Sequence, residues 1–136
     1  MAYQFATDEW AKALQEALNN SAAYKKAAEK WEGDFYFIVE KGEGIDEDVY
    51  LYLDLWHGDA RQAYLQEDPA SHDAAFELRA PLDTWHGVLD KKIDPILGIM
   101  SRQLKLKGNK MKIMKAPKAA TALVECAASV DTVWPE

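Results

Sequence analysis

Val49-Tyr-Leu-Tyr-Leu-Asp-Leu-Trp-His-Gly-Asp59-Ala-Arg-Gln-Ala-Tyr-Leu-Gln66 decides the fold class. Val49, Leu51, Leu53 and Leu55 alternate with Tyr50, Tyr52, Asp54 and Trp56. Period two in branched and aromatic residues predicts a strand whose aliphatic side faces a core. Its aromatic side is then half-exposed or covered by a partner. His57-Gly58-Asp59 is a tight turn, so residues 60–66 return as a hairpin strand. Upstream, Gly33-Asp34 opens a strand that runs to Glu40, with Phe35, Phe37 and Val39 on one side. Downstream, residues 67–71 form a loop and residues 72–80 a fourth strand. Ala74, Phe76 and Leu78 take one face of it, Glu77 and Arg79 the other.

Helical signals flank these strands. Thr7 caps a first helix, with Asp8 and Glu9 favourable at its positive end. Trp10, Leu14, Ala17 and Leu18 recur on one face, and Asn19-Asn20 end it. Ser21 caps a second helix with Tyr24, Ala27, Ala28 and Trp31 on its buried side. After the strands, Pro81 stands near the first turn of a helix carrying Trp85 and Leu89. Pro95 starts a short helix with Ile96, Leu97 and Met100, weakened by Gly98 by about 1 kcal/mol relative to alanine. Leu104-Lys-Leu-Lys107 alternates as a last strand and Gly108-Asn109 is a turn. A helical apolar face then runs through Met111 and Met114 and on past Pro117 to Ala120, Leu123, Val124 and Ala127. Hairpin-linked strands between helical blocks predict an α+β domain.

The chain has 136 residues, the length of one domain, 1–136. Cys126 is the sole cysteine, so a cysteine-based metal cluster or intrachain disulfide is excluded. No secretory leader is read at Met1-Ala-Tyr-Gln, and Trp134-Pro-Glu136 is not a peroxisomal address. No apolar run is long enough to span a bilayer. The expectation is a cytoplasmic protein with at most peripheral membrane contact. A net charge of -7 argues against nucleic acid. The charge is uneven, however. Acids crowd residues 32–54, while Arg102, Lys105, Lys107, Lys110, Lys112, Lys115 and Lys118 share a segment with no acid. That segment reads either as a solvated face or as a docking surface for anionic headgroups or an acidic partner.

Signatures of chemistry are scarce. His57, His72 and His86 form no helical metal-ligand pair, and no metal or cofactor is expected. There is no serine-nucleophile elbow, and Cys126 reads as a small buried side chain. Asp54 reads as a hydrogen-bonded or exposed strand aspartate. His86 reads as a structural histidine that can reach a cavity beside Trp85. Met100, Met111 and Met114 either fill a core or line an adaptable apolar site.

Trp85-His-Gly-Val-Leu89, Asp94-Pro-Ile-Leu97 and Leu104-Lys-Leu-Lys-Gly-Asn109, in that order, resemble the sterol carrier protein type-2 domain family. The Gly33–Val39 strand and the Tyr50…Gly58 hairpin are similar in order and spacing, and the resemblance runs roughly from Trp10 to Ala128. It implies a five-stranded, mainly antiparallel sheet with helices packed on one face. It also implies an apolar tunnel for a fatty acyl chain, acyl-CoA, sterol or similar lipid, in a binding and transfer module that is not a catalyst. Under it, Phe35, Phe37, Leu51, Leu53, Phe76, Leu78, Trp85, Leu89, Leu97, Met100, Met111, Met114 and Leu123 line the tunnel. Lys110, Lys112 and Lys115 meet a headgroup at its mouth. Two other readings stay open. One is an interaction or homodimerisation domain with a self-filled core and a Tyr50, Tyr52 and Trp56 partner face. The other is a small isomerase-type enzyme with Asp54 or His86 as base.

Overall fold

Capping side chains set the helix starts. Thr7 Oγ1 accepts from Trp10 N (3.2 Å), Ser21 Oγ from Tyr24 N (3.0 Å), Asp94 Oδ1 from Ile96 N (2.9 Å) and Asn109 Oδ1 from Lys112 N (3.2 Å). In this computed structural model, which describes residues 2–135, the order is β1 (Tyr3–Gln4), α1 (Asp8–Asn19), α2 (Ala22–Ala27), β2 (Glu32–Glu40), β3 (Val49–Trp56) and β4 (Asp59–Gln66). There follow a single 3-10 turn (Pro69–Ser71), β5 (Phe76–Pro81), α3 (Leu82–Leu89), α4 (Pro95–Met100), β6 (Lys105–Lys107), α5 (Lys110–Met114), α6 (Pro117–Ser129) and β7 (Thr132–Val133). Met1 and Glu136, which enter the terminal readings above, lie outside the described residues.

The main sheet has the order β4-β3-β2-β5-β6 and is antiparallel except where β2 meets β5. The expected α+β fold with a five-stranded, mainly antiparallel sheet is therefore what the chain forms. Register puts Phe35 opposite Leu53 and Phe76, and Phe37 opposite Leu51 and Leu78. Because side chains alternate along a strand, these residues share one apolar face. Helices α1, α3 and α6 bury that face in the main core. Fully burying one such leucine contributes roughly 1.5–3 kcal/mol. Leu53, at 0% exposure, gets all of it. The hairpin between β3 and β4 turns on two left-handed residues, His57 (φ 50°) and Gly58 (φ 84°), as a two-residue turn requires.

The opposite face of the sheet is not bare. Tyr36, Ile38 and Tyr52 are buried there in a second cluster flanked by Tyr50, Tyr64 and Ala74. The β4–β5 connection covers them. Tyr36 donates its hydroxyl to Pro69 O (3.1 Å), the His72 ring stacks on Tyr52 (4.3 Å, 6°), and Tyr64 and His72 share a short hydrogen bond. Asp34 accepts from the Tyr52 hydroxyl (2.8 Å) and from Ala75 N (2.7 Å). Two expectations change. The fourth strand begins at Phe76 rather than residue 72, and Ala74 joins the tyrosine side. Tyr50, Tyr52 and Trp56 do not form a continuous exposed face, because the chain's own loop covers Tyr52; Trp56 stays 39% exposed, with Arg61 over its ring (4.9 Å).

Three further differences have plain causes. The last apolar helix is two helices, because Pro117 cannot continue α5 and pushes Ala116 out of the helical region (φ -124°, ψ 50°). Trp31 lies beyond the end of α2, where its ring packs on Phe35 (5.8 Å) and Phe76 (5.3 Å). Tyr3-Gln4 and Thr132-Val133 pair as a two-stranded parallel ribbon. Such short strands carry no readable period. Among the described residues, no helix is long and apolar enough to cross a membrane.

Candidate functional site

Between β2 and β3 on one side and α6 on the other, the core leaves two apolar chambers. The first, about 50 Å³, is bordered by Tyr24, Trp31, Phe35, Leu55, Ile113 and the row Ala116, Ala119, Ala120 and Leu123. The second, about 40 Å³, is bordered by Phe37, Val39 and Leu51 of the sheet, Trp10 and Leu14 of α1, Trp85, Val88 and Leu89 of α3, Phe5, and Leu123, Val124 and Ala127 of α6. The two lie in line. Along β2 the wall passes from Phe35 to Phe37, whose rings stack at 5.2 Å, and along β3 from Leu55 to Leu51. Among the described residues, Leu123 is the one common to both walls. With a rise of about 1.5 Å per residue, the stretch of α6 from Pro117 to Ala127 runs about 15 Å beside them.

The alanine row explains why space exists. Ala116, Ala119, Ala120 and Leu123 follow the i, i+3, i+4, i+7 pattern that faces a core, yet three of the four are too small to fill it. Together the chambers are smaller than the roughly 150 Å³ cavity that holds benzene in an engineered protein core. A long apolar ligand therefore enters only if something moves. Helix α5 is the least anchored wall. It has five residues, and Ile113 is its buried one. Its ends are the Gly108 turn (φ 126°) and the Ala116–Pro117 break. Lys112 closes it down, donating to Glu32 O and placing its ammonium 5.1 Å from the Trp31 ring centre and 5.8 Å from that of Phe76.

Of the residues expected to line a tunnel, Phe35 and Leu123 border the first chamber, and Phe37, Leu51, Trp85, Leu89 and Leu123 the second. Leu53, Phe76 and Leu78 are buried in the core behind them, and Met114 packs half-buried against it. Leu97, Met100 and Met111 do not join. They are 62%, 60% and 63% exposed. In helices of five or six residues one side alone meets the core, and Ile99 and Ile113 occupy it. The pattern of apolar residues alone did not show which side that is.

Lys110, Lys112 and Lys115 are all exposed, and none forms an ion pair among the described residues. The strand lysines differ, since Lys105 reaches Glu40 (3.5 Å) and Lys107 reaches Glu77 (3.8 Å). The basic segment thus includes strand cations that are paired and cations in and just after α5 that form no ion pair among the described residues. Ile113, Tyr24 and the alanine row are wall residues that sequence reasoning missed. Their signal was the small-residue row, which reads as a space only once its partner strands are known.

The two candidate bases lie elsewhere. Asp54 accepts from Arg61 Nε (3.1 Å) and Nη2 (2.9 Å). His86 stacks on Trp134 (3.9 Å) and lies 3.3 Å from Asp90, the carboxylate four residues on. Neither borders a chamber. Among the described residues, no three His, Cys, Asp or Glu side chains gather in a way that could hold a metal ion.

Comparison with known proteins extends this picture. The model of the SCP-2 sterol transfer family matches residues 11–120. A crystal structure of sterol carrier protein 2 is 35% identical, covering 93% of this chain and 99% of that one at a TM-score of 0.84. The solution structure of a conserved hypothetical protein from Thermus thermophilus is 34% identical, covering 98% and 94% at 0.83. The apo form of sterol carrier protein 2 from Yarrowia lipolytica, 19% identical over 87% and 88% at 0.59, shares the fold. No curated protein sequence matches.

Proposed function

Because this chain belongs to the SCP-2 sterol transfer family, we propose that it binds an apolar ligand between its sheet and α6 and transfers it. Family membership supports lipid binding and transfer in general. The observation that carries the reading further is the pair of in-line apolar chambers, the first of them closed by α5, a wall with a single buried side chain. Opening α5 exposes Ile113, at a cost of about 1.5–3 kcal/mol. An entering chain offsets this, since each buried methylene contributes about 0.8 kcal/mol. Roughly ten methylenes give about 8 kcal/mol before ordering costs, which corresponds to micromolar binding at best.

The unpaired lysines favour a ligand with an anionic head. Lys112 sits over Trp31, which borders the first chamber; Lys110 opens the same short helix and Lys115 follows its last residue. The expectation is that they receive a carboxylate or phosphate at the chamber mouth. The test is equilibrium uptake of a fluorescent fatty acid at low salt. The triple variant Lys110→Ala, Lys112→Ala, Lys115→Ala should bind it severalfold more weakly, and equal affinity would remove the headgroup role. One observation favours a self-filled core, namely the small volume of the chambers. The same titration separates the two, because a self-filled core takes up no fatty acid at any concentration below its solubility.

A further inference from the structure

Among the described residues, four polar side-chain groups border the two chambers. Three are tryptophan N–H groups, and the protein satisfies each one. Trp31 Nε1 donates to Gly33 O (3.1 Å), Trp10 Nε1 to Thr132 Oγ1 (2.9 Å) and Trp85 Nε1 to Ile38 O (3.0 Å). The fourth is the Tyr24 hydroxyl. Tyr24 is 2% exposed. Its backbone N–H reaches Ser21 Oγ (3.0 Å), but its hydroxyl hydrogen-bonds to no described residue. A buried phenol ordinarily finds a partner, and one left without calls for a reason. No fully occluded polar side-chain atom lacks a partner among the described residues. The Tyr24 oxygen is therefore not fully occluded, and Tyr24 is one of the residues that border the first chamber.

We propose that the Tyr24 hydroxyl is a ligand-recognition group. On this account the first chamber takes the oxygen-bearing end of an apolar ligand, and Tyr24 hydrogen-bonds to a neutral oxygen there, an alcohol or a carbonyl. The proposal rests on the cavity reading above and adds the chemistry of the ligand to it. The oxygen is neutral because the rest of the wall is hydrocarbon and satisfied indole, where an ionised group would lose its hydration without replacement. Charged heads remain outside, with the lysines of α5. Burial raises the pKa of the Tyr24 phenol above its ordinary value, so the group stays protonated and able to donate at any pH the folded protein meets. The other three polar groups of the walls are committed, so discrimination between an oxygenated ligand and a plain hydrocarbon falls to this one hydroxyl.

The experiment is a two-by-two comparison of wild type and Tyr24→Phe against 1-decanol and 1-chlorodecane, which has a similar length and no O–H. Quenching or enhancement of tryptophan fluorescence, with Trp31 in the chamber wall, reports binding. The cycle isolates the coupling between the two hydroxyls. The decanol-to-chlorodecane affinity ratio should fall roughly threefold to tenfold in Tyr24→Phe, the worth of one net hydrogen bond. Affinity for 1-chlorodecane should not fall, because the variant removes a hydroxyl that an apolar ligand would leave unpaired. The variant deletes an oxygen with no protein partner, so its melting temperature should match or exceed that of wild type. The wild type alone provides a second reading. A tyrosine ultraviolet difference spectrum should develop with 1-decanol and not with 1-chlorodecane. If both ligands bind and neither the ratio nor the spectrum responds, the hydrogen bond is refuted while the cavity reading stands. If neither ligand binds the wild type, the cavity reading fails and this proposal with it.

Discussion

Replacing Leu123 by alanine would remove the one side chain that belongs to both chambers. In the wild type, a ligand that reaches from the Phe35 end to the Phe37 end must displace it. Full burial of a leucine is worth roughly 1.5–3 kcal/mol, and Leu123 is half-buried, so its displacement costs about 1–1.5 kcal/mol. The variant is spared that cost and should bind long chains roughly fivefold to tenfold more tightly than wild type. A chain short enough to stay in the first chamber should gain little. The stability loss should be about 1–2 kcal/mol, at or below the low end of buried leucine truncations. The assay is displacement of a fluorescent fatty acid by saturated acids of increasing length, with melting temperature measured alongside. Wild type and variant should diverge as the chain lengthens. Parallel curves over the whole series would refute the idea that Leu123 divides a single tunnel.

Other perturbations separate scaffold from site. Gly108→Ala should destabilise by more than about 1 kcal/mol in thermal melts, because residue 108 has φ 126° and a Cβ there would lie 2.6 Å from Ala75 O. Leu97→Gln and Met111→Gln, on exposed faces, should change stability by less than about 0.5 kcal/mol and leave fatty acid affinity unaltered. Asp48 accepts from Lys41 N (2.7 Å) and from Arg79 (2.9 Å). The Lys41 backbone N–H first, then the Arg79 guanidinium, hold its carboxyl below the usual carboxylate range. A depressed folded-state pKa contributes stability above the ordinary carboxylate pKa and loses it as pH falls through the depressed value. Asp48→Asn should therefore lower the melting temperature near neutral pH and have a vanishing effect once the pH lies below that depressed value.

The strands were legible because their signals are local. Val49 to Trp56 alternates without a break, and the His57-Gly58 turn permits only a hairpin. Once those strands lay between helical blocks, the sheet followed. The ribbon of Tyr3-Gln4 and Thr132-Val133 was not legible, since two residues from opposite ends of the chain carry no period. Burial of the tyrosine side was hidden for a related reason. The loop that covers Tyr52 lacks a regular period, and its His72 meets the ring through a contact distant in sequence. The site divides along the same line. Strand positions such as Phe35, Phe37 and Leu51 do border the chambers, and their side of the sheet was readable because a strand has two faces and one was plainly apolar. Short helices were misread. Leu97, Met100 and Met111 looked as apolar as Ile99 and Ile113, and only packing chose between them. Tyr24 was placed in the core, but its missing partner becomes visible only when every other polar group on the walls has been accounted for.

The central claim is that the space between the sheet and α6 opens to hold a lipid. Native mass spectrometry of the protein as purified from cells tests it most directly. The account predicts a population heavier than the bare chain by the mass of one lipid, which solvent extraction removes and which the Leu123→Ala variant shifts toward longer chains. A single mass equal to the bare polypeptide, unchanged after incubation with a fatty acid that tryptophan fluorescence also fails to register, would contradict it.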